Sequence, residues 1–368
     1  MSEVSTSPEV SVLMAAYNAE QYIAQAIESL LAQTLQNWEL IVINDQSTDR
    51  TSEIIDAYAK RDSRIRCYWN QKNQGVGFTR QRALNLANGQ YSAILDADDI
   101  ALPEWLDDRV SYLENHPDVV LVSSSLKMID EDNRYLGRKN VVISPLAIRW
   151  SLIFGNPIHD PSCVYRTKVA KDVGGYPDAP FSACWSLFSK LMSMGWIVQF
   201  TKPLMLYRKH ASSVCGILGP KRNSIEELAR SIIGQNLRRF CRIVPPKELT
   251  ELIWYLFRGR YVFRGQAKKS QRASTLILQA YKAFAKQNDL EAQSAALVAA
   301  AMDDVVNVLR CGGWSPLQAM KAFISIVSCS GARTLLSPVV IPKGIKLLLA
   351  PVALPQLPNT QSSVKRQG

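Results

Sequence analysis

The chain has 368 residues, of which 47% are hydrophobic and 20% charged, a composition that excludes disordered and fibrous proteins. A single hydrophobic core rarely serves more than about 250–300 residues, so we expect one large domain and a second, smaller unit. The net charge of +11 is uneven, because residues 1–210 contain 21 basic and 24 acidic side chains and residues 211–368 contain 22 and 8.

The first hundred residues alternate short apolar runs with segments of helical periodicity. In chain order the predicted elements are strand Val10–Ala15, helix Glu20–Gln33, strand Glu39–Ile43, a helix through Ile54, Ile55 and Tyr58, strand Ile65–Trp69, helix Thr79–Ala87 and strand Tyr91–Leu95. This alternation predicts an α/β fold with a mostly parallel central sheet and right-handed crossovers. Ligands of such sheets bind at the carboxyl ends of the strands, where the loops converge.

Three polar loops follow these strands, at Ala15–Glu20, Asn44–Arg50 and Asp96–Asp99. The last loop holds three carboxylates, which repel one another unless a cation lies between them. Mg²⁺ and Mn²⁺ are hard ions that take oxygen ligands, often one or two carboxylates plus substrate phosphates, and they stabilise charge on a leaving diphosphate. The alternative is an acidic cap on the helix that begins near Pro103, because Asp favours helix starts.

From about residue 216 the strand signal fades and helical patterns take over, at Ile225–Phe240, Glu248–Phe263 and Glu291–Leu309. Gly216 and Gly219-Pro220 mark a natural boundary. We therefore expect an α/β domain over residues 1–215, a basic helical domain over 216–350 and a flexible tail over 351–368.

The basic helical region suits an anionic partner, such as the phospholipid headgroups of a membrane surface, although a solvated basic surface explains the charge equally well. Residues 316–354 are apolar but interrupted by Lys321, Arg333, Lys343 and Lys346, a pattern typical of an interfacial layer. A packed helical subdomain that covers the α/β domain is the alternative. Specific nucleic-acid binding is not expected, since no stacking-aromatic or recognition-helix signature accompanies the charge.

Cysteine usage and the N-terminus indicate a cytoplasmic protein. The seven cysteines are scattered and never separated by two residues, which predicts neither a zinc site nor a disulfide framework and fits a reducing cytosol. Met1–Pro8 lacks the layout of a signal peptide, and no apolar run reaches about 18 residues. We expect a chain that is neither secreted nor membrane-spanning.

Several separated motifs carry a family resemblance when taken in order. They are Ser11–Asn18, Glu39–Asp49, Asn73-Gln74-Gly75 with Arg80, Ala87–Tyr91 and Leu95–Asp99. Together they resemble the family-two glycosyltransferases, whose Rossmann-type sandwich is called the GT-A fold, and the resemblance spans about residues 8–215. It implies transfer of a sugar from a nucleotide diphosphate donor to a saccharide, lipid-linked or protein acceptor. It also implies inversion at the anomeric carbon, in cell-surface glycan or glycolipid synthesis at the inner face of a membrane.

The resemblance also implies the residues of a donor site. The implied donor-binding residues are Ala15, Tyr17, Asn18, Asn44, Asp45, Asn73, Gly75, Arg80, Asp96 and Ala97. Of these, the loop Ala15–Asn18 and Asp45 would hold the base and ribose, Arg80 would approach the diphosphate, and Asp96 would contact the ribose or the sugar. Physical chemistry agrees for two of them, since Asp45 can accept hydrogen bonds from a base edge and Arg80 can pair with phosphate. Asn44–Asp49 as a helix-capping loop and Arg80 as an exposed helix residue are the alternatives.

Two further residues are implied to hold Mg²⁺ or Mn²⁺. Asp98 is the metal ligand within the acidic loop by this resemblance. His210, in Tyr207-Arg208-Lys209-His210, looks like part of the segment that closes the catalytic domain, where it would approach the diphosphate or the metal. A surface or structural role for His210 is the alternative.

The general base of the resembled family is missing. Members show Gly-Gly-Tyr followed by Glu-Asp, and that Asp deprotonates the acceptor; here Gly174-Gly175-Tyr176 is followed by Ala183 and Cys184. A buried neutral thiol accepts protons poorly. Asp160, which stands where the family usually has His, or Asp178 is a candidate replacement, with a structural role as the alternative for each. A second hypothesis is a sugar-nucleotide-binding or scaffolding protein that has kept the fold and lost turnover.

Overall fold

A seven-stranded sheet forms the centre of the computed structural model, which describes residues 7–142, 144–179, 182–211, 222–247, 250 and 267–288. The strands of the described residues are β1 Val10–Ala16, β2 Trp38–Asn44, β3 Ile65–Trp69, β4 Tyr91–Ile94, β5 Ile100–Ala101, β6 Val119–Ser124, β7 Leu126–Ile129, β8 Tyr135–Lys139, β9 Val164–Arg166, β10 Trp196–Phe200 and β11 Met205–Arg208. The central sheet has the order β3-β2-β1-β4-β9-β6-β10. Its neighbours are parallel except for β9, which is antiparallel to both β4 and β6.

Helices pack on both faces of this sheet. The described helices are α1 Ile23–Leu31, α2 Thr51–Arg61, α3 Val76–Leu86, α4 Trp105–Asn115, α5 Pro145–Phe154, α6 Thr167–Asp172, α7 Ala183–Leu191, α8 Arg222–Cys241 and α9 Ala267–Gln287, with a short 3-10 helix at Asp160–Ser162. Because side chains alternate along a strand, Val12 and Met14 of β1 pack with α1 and α4, whereas Leu13 packs in the opposite core with α3, α5 and α7. The sheet is therefore buried on both faces, as parallel sheets usually are.

The four predicted strands are confirmed, each within one residue at either end. The first predicted helix begins later than expected, at Ile23 instead of Glu20. The chain first makes a turn, in which Asn18 has a φ of 47° and the Tyr22 amide donates to the Ala19 carbonyl over 3.0 Å. This turn keeps residues 17–22 at the carboxyl end of β1 and outside the helix.

A second, four-stranded sheet lies beside the acidic loop and has the order β5-β11-β7-β8. Strand β11 is antiparallel to β5 and parallel to β7. Since β5 directly follows Asp96–Asp99, its pairing with β11 brings the segment around Arg208 and His210 to the carboxyl end of β4. The central sheet makes a comparable long-range connection, because β9 lies between β4 and β6 and places the 3-10 helix next to them.

Helices α8 and α9 pack against α5 and α7 in the same core. The Trp150 ring of α5 meets the rings of Tyr281 and Phe284 at centroid distances of 5.5 and 5.6 Å. Asn236 of α8 donates to the Leu152 carbonyl over 3.0 Å. The helical pattern predicted at Ile225–Phe240 is observed as part of α8, and in the described part of the chain it buries its apolar side on the α/β unit.

Several predictions fall on residues that the structure does not describe. The helix Glu248–Phe263 apart from Thr250, the helix Glu291–Leu309, the segment 316–354, the tail 351–368 and the boundary near 216–220 lie outside the described residues. The division into domains stays a prediction for that reason. Within the described residues, no helix has both the length and the apolar character that a membrane crossing requires.

Candidate active site

The acidic loop after β4 brings three carboxylates together. Asp96, Asp98 and Asp99 each have one carboxylate oxygen in a group whose members all lie within 4.8 Å of one another. The side chains of Asp96 and Asp98 are 28% and 29% exposed, whereas Asp99 is fully buried. Two carboxylates therefore face the solvent side of the cluster and the third lies beneath them.

This cluster lacks a full complement of positive charge. Burial raises the pKa of Asp99 well above its ordinary range, and the neighbouring charges of Asp98 and Asp96 raise it further. Burial likewise raises the pKa of Asp96, although the Arg80 guanidinium opposes the shift. Asp99 Oδ1 accepts the Arg208 amide at 2.8 Å, while Oδ2 has no hydrogen-bond partner among the described residues. Bringing a divalent cation to these oxygens would relieve both the repulsion and the unmet hydrogen-bonding capacity.

The structure brings the two predicted metal ligands into contact. His210 Nε2 lies 2.8 Å from Asp98 Oδ2. The imidazole also packs against the Tyr22 ring, with centroids 4.9 Å apart. Carboxylate oxygen and imidazole nitrogen are both established ligands of divalent metals, so this pair fits the residue types that Mn²⁺ accepts. The two residues are 112 positions apart in the chain.

Arg80 connects three segments from a buried position on α3. Its Nη2 donates to Asp96 Oδ1, and its Nη1 lies 2.7 Å from Cys184 Sγ and 3.8 Å from Asp160 Oδ2. Burial disfavours the guanidinium charge, but Asp96, Cys184 and Asp160 together hold the pKa of Arg80 above its ordinary value. The alternative, in which Arg80 is an exposed helix residue, is wrong, since Arg80 is 5% exposed.

Cys184 and Asp160 share this guanidinium. Burial raises the pKa of the Cys184 thiol well above its ordinary value, so the group is neutral near pH 7 and a poor base. Asp160 is 30% exposed and accepts a hydrogen bond from Asn156 Nδ2 at 3.1 Å. Asp160 thus places a carboxylate beside Arg80 and Cys184, the residue that stands where the family resemblance would put the base.

Asp178 has a different neighbourhood. It lies in the segment Pro177–Ala179, whose backbone crosses the start of α3 so closely that a Cβ on Gly77 would lie 2.2 Å from the Ala179 oxygen. None of the described hydrogen bonds and ion pairs that hold Arg80, Asp96 and Cys184 involves Asp178. Among these contacts it is Asp160 that is connected, through Arg80, to the acidic loop.

Asp45 organises the loop around Asn73 and Gly75. Its Oδ1 accepts from Asn70 Nδ2 at 2.7 Å and from the Gln74 amide at 2.8 Å, and its Oδ2 accepts from the Gly75 amide at 2.8 Å. Gly75 has a φ of 85°, which favours glycine at this turn. The Asp45 carboxylate is 4% exposed, so in this structure it shapes the pocket wall.

The loops after β1 and β2 are joined to each other. Asn18 Oδ1 accepts the Thr48 amide at 2.8 Å, and the Asn18 amide donates to Ser47 Oγ over 3.0 Å. Asn44 Oδ1 accepts the Ser47 amide at 2.9 Å, a hydrogen bond within the loop that does not reach α2, whose N-cap residue Arg50 makes no side-chain cap hydrogen bond. Tyr17 is 52% exposed above these contacts. Ala15 lies at the end of β1, and Ala97 is buried within the acidic loop.

Arg208 is a residue of this site to which sequence reasoning assigned no role. It is 1% exposed and donates through Nε to the Asp98 carbonyl at 2.9 Å. Asp99 was likewise grouped with the acidic cluster without a role of its own. The signal that could have identified Arg208 is its position at the end of the apolar run Leu204–Tyr207, since an arginine that follows a buried strand is rarely buried without a partner.

Comparison with protein families matches residues 11–174 to the model described as glycosyl transferase family 2. A protein of Haemophilus influenzae named an uncharacterized glycosyltransferase is 32% identical over 240 residues, which cover 62% of this chain and 73% of the relative. An uncharacterized glycosyltransferase of Methanocaldococcus jannaschii is 43% identical over 131 residues, which cover 35% of this chain and 45% of that relative. The chain thus spans less than half of the second relative's length.

A solved structure shares the fold. Residues 1–349 of Staphylococcus aureus TarS, crystallised with UDP-GlcNAc, superpose with a TM-score of 0.55 at 20% identity, covering 83% of this chain and 90% of that one. At this identity the likeness is evidence for the fold alone. Together with the observed sheet it confirms the predicted α/β architecture.

Proposed function

The chain belongs to glycosyl transferase family 2 and is a glycosyltransferase of the GT-A fold, and from this premise we propose that it transfers a sugar from a nucleotide diphosphate donor to a hydroxyl acceptor. The observation that carries the proposal is the group of Asp96, Asp98 and Asp99 oxygens within 4.8 Å, beside the buried guanidinium of Arg80. Carboxylates for a cation and an arginine for phosphate are the groups that a departing diphosphate requires.

Mg²⁺ or Mn²⁺ fits the acidic loop. The donor set consists of carboxylate oxygens and the His210 imidazole, and one oxygen of Asp99 has no hydrogen-bond partner among the described residues. Asp98 and His210 would hold the ion, with Asp96 directed to the ribose or the sugar. When bound, the cation supplies charge stabilisation for the diphosphate leaving group.

The donor pocket lies along the first three loops. The loop Ala15–Asn18 and Asp45 hold the base and ribose, and the exposed ring of Tyr17 supports this by offering an open apolar face. Asn44 at the end of β2, Asn73 and Gly75 in the loop after β3, and Ala97 in the acidic loop complete the pocket. Because Asp45 already accepts three hydrogen bonds, its contribution is to fix the Asn73–Gly75 loop and to offer the second lone pair of Oδ2 to a base edge.

Arg80 stabilises the leaving diphosphate in this proposal, and Asp160 deprotonates the acceptor. Arg80 stabilises the diphosphate, since a guanidinium pairs with phosphate oxygens in a fixed fork geometry. Asp160 accepts the proton of the acceptor hydroxyl, whose oxygen then attacks the anomeric carbon as the nucleotide diphosphate departs with the bonding electrons. Attack opposite the leaving group inverts the anomeric centre. Asp178 is the other candidate base, and the ion pair between Asp160 and Arg80 favours Asp160.

The proposal extends to the class of acceptor and to the place in the cell where the reaction occurs. A saccharide, lipid-linked or protein acceptor is compatible with a partly exposed base, and synthesis of cell-surface glycans or glycolipids in the cytoplasm, peripheral to the inner membrane face, follows from the family resemblance. We assign catalysis to residues 1–215, with the basic region 216–350 and the tail 351–368 available to an anionic membrane surface. The charge of residues 211–368, 22 basic against 8 acidic, supports that assignment.

Replacement of the usual base by Ala183 and Cys184 favours one second candidate, a nucleotide-sugar-binding or scaffolding protein of the same fold without turnover. The distinguishing experiment incubates the full-length chain with Mn²⁺ and a panel of nucleotide diphosphate sugars and measures the nucleotide diphosphate released. We expect release from at least one donor, loss of release in Asp98→Ala, and full release in Asp107→Ala, an exposed acid on α4. Binding without release supports the second candidate, and neither binding nor release contradicts both.

A further inference from the structure

Arg208 holds three separate segments at the edge of the acidic loop. Its Nε donates to the Asp98 carbonyl at 2.9 Å and its Nη2 donates to Gln25 Oε1 on α1 at 2.8 Å. Its Nη1 donates to the Asp130 carbonyl at 3.0 Å and to Asn133 Oδ1 at 2.7 Å, both in the turn between β7 and β8. One side chain thus joins the acidic loop, the first helix and the neighbouring hairpin.

The backbone of Arg208 adds a reciprocal contact. Its amide donates to Asp99 Oδ1 over 2.8 Å, so the acidic loop and the end of β11 are connected in both directions. His210 follows two residues later and contacts Asp98 Oδ2. Arg208 therefore binds the backbone carbonyl of Asp98, and His210 contacts the carboxylate of the same residue. Both partners of Asp98 come from the segment 208–210.

The contacts of Arg208 are mostly to neutral oxygens. The described ion pairs within 4.0 Å do not include it, and its guanidinium lies over the Tyr22 ring with a distance of 4.6 Å to the centroid. Each unpaired N–H group of a buried guanidinium costs free energy, and the planar fork fixes each acceptor in direction as well as in distance. Lysine carries the same charge but has no such fork.

We propose that Arg208 is a positioning residue that sets Asp98 and His210 in the arrangement that binds a divalent cation. The proposal rests on the metal-dependent function proposed above and goes beyond it by naming the group outside the ligand set that orients the ligands. Groups that orient metal ligands commonly affect metal affinity by roughly 10–100-fold when they are removed.

The chain offers a matched control in Arg109. This arginine of α4 is also fully buried, and its guanidinium lies over the Phe200 ring with a distance of 4.7 Å to the centroid. Its described polar contacts are with Asp108 and the Lys202 carbonyl, and they do not involve the acidic loop. Exchange of either arginine for lysine removes a planar fork from a buried position next to an aromatic ring.

The experiment titrates the full-length protein with Mn²⁺ alone and measures free Mn²⁺ by electron paramagnetic resonance. We expect Arg208→Lys to raise the dissociation constant for Mn²⁺ by roughly tenfold or more, because loss of a group that orients metal ligands typically has an effect of that size. Arg109→Lys should leave this constant within about twofold. The chain contains three histidines, so the imidazole resonance of His210 can be assigned, and its broadening by Mn²⁺ should weaken in Arg208→Lys. Unchanged affinity with unchanged broadening overturns the proposal, as does an equal loss in Arg109→Lys.

A second variant avoids dependence on a core substitution. Asn133 is exposed and has a φ of 65°, so Asn133→Gly removes one acceptor of Arg208 without backbone strain. We expect a smaller weakening in the same direction, and no weakening counts against the proposal.

Asp98→Asn distinguishes failure of the metal site from failure of the role of Arg208. If the wild-type protein binds Mn²⁺ no better than Asp98→Asn, the assignment of the metal site fails. If Asp98→Asn loses binding and Arg208→Lys does not, only the role of Arg208 fails.

Discussion

Arg80 Nη1 donates a hydrogen bond to Cys184 Sγ across 2.7 Å, joining α3 to the first turn of α7 over 104 positions of sequence. Asp160 Oδ2 lies 3.8 Å from the same nitrogen. By the family resemblance a histidine is expected at position 160 and an aspartate at position 184, whereas this chain has Asp160 and Cys184. A carboxylate on the 3-10 helix and a thiol on α7 therefore lie beside one guanidinium.

The presence of a carboxylate at position 160 and a thiol at position 184 predicts that Asp160 is the base. It also predicts that an aspartate introduced at position 184 can replace Asp160 in that role. We expect Asp160→Asn to lower kcat by roughly 10²–10⁴, the range that a general base contributes. Adding Cys184→Asp to Asp160→Asn should recover at least about tenfold of that loss, because the new carboxylate would lie beside the same Arg80 nitrogen that Asp160 approaches. The measurement is steady-state release of nucleotide diphosphate.

Two further variants guard this interpretation. Asp178→Asn should retain activity within a few-fold, and a loss as large as that of Asp160→Asn would transfer the base role to Asp178. Cys184→Asp in the wild-type background should change kcat little, since a base is already present. A gain of several orders of magnitude would instead indicate an impaired enzyme and support the binding-protein alternative.

The planar guanidinium of Arg80 predicts that substitution by lysine lowers turnover more at Arg80 than at Arg82 on the same helix. Arg80→Lys keeps the charge but loses the simultaneous contacts with Asp96 and Cys184, so we expect donor turnover to fall by about a hundredfold, as for loss of one preorganised donor to a developing negative charge. Arg82 also lies on α3 and donates to the Trp69 carbonyl at 2.6 Å and Asn70 Oδ1 at 2.7 Å. Arg82→Lys should leave kcat nearly unchanged. Equal effects of the two substitutions would point to a general weakening of α3.

Burial of His159 predicts an acid-sensitive fold. Burial lowers the pKa of His159 to about 4, with a further contribution from Lys139, whereas an unfolded histidine titrates near 6.5. The unfolded state therefore binds a proton that the folded state does not, and the free energy of unfolding falls as the pH decreases from about 6.5 towards 4. Each unit of pKa difference corresponds to about 1.4 kcal/mol.

Denaturant titrations between pH 4 and pH 7 measure this dependence. His159→Gln should flatten the fall in stability across this window, because the group that takes up the proton is gone. His116→Gln, at the end of α4, is the control and should retain the slope of the wild type. An unchanged slope in His159→Gln would mean that other groups dominate the acid sensitivity.

Substitution of two adjacent glycines by alanine is expected to lower stability by unequal amounts. Gly174 and Gly175 have φ values of 82° and 58°, and a Cβ on Gly175 would lie 2.0 Å from Gln81 Oε1, whereas none of the described atoms lies within 4 Å of a Cβ on Gly174. Gly174→Ala should cost about 1 kcal/mol of stability from backbone strain alone. Gly175→Ala should cost about 2–3 kcal/mol, since it also displaces the oxygen that accepts the Tyr176 amide. Thermal denaturation distinguishes the two, and equal shifts would contradict the steric argument.

Much of the α/β unit was predictable because its signals are local. The apolar runs of β1 to β4 and the polar loops after them define strands and turns within a few residues, and parallel strands necessarily bring those loops to one edge. The convergence of Asp45 with the Asn73–Gly75 loop and the position of Asp96–Asp99 follow from this. The start of α1 was less predictable, because the turn Asn18–Tyr22 depends on hydrogen bonds to Ser47 and Thr48 from another loop.

By itself, the amino-acid sequence determined the order of strands and helices in the first hundred residues and the chemical identity of the acidic loop. Only the tertiary structure decided which distant groups meet that loop. Insertion of β9 between β4 and β6 brings Asp160 to Arg80, and the pairing of β5 with β11 brings Arg208 and His210 to Asp98. These contacts join residues 80 to 112 positions apart, and hydrophobic periodicity carries no information about separations of that length.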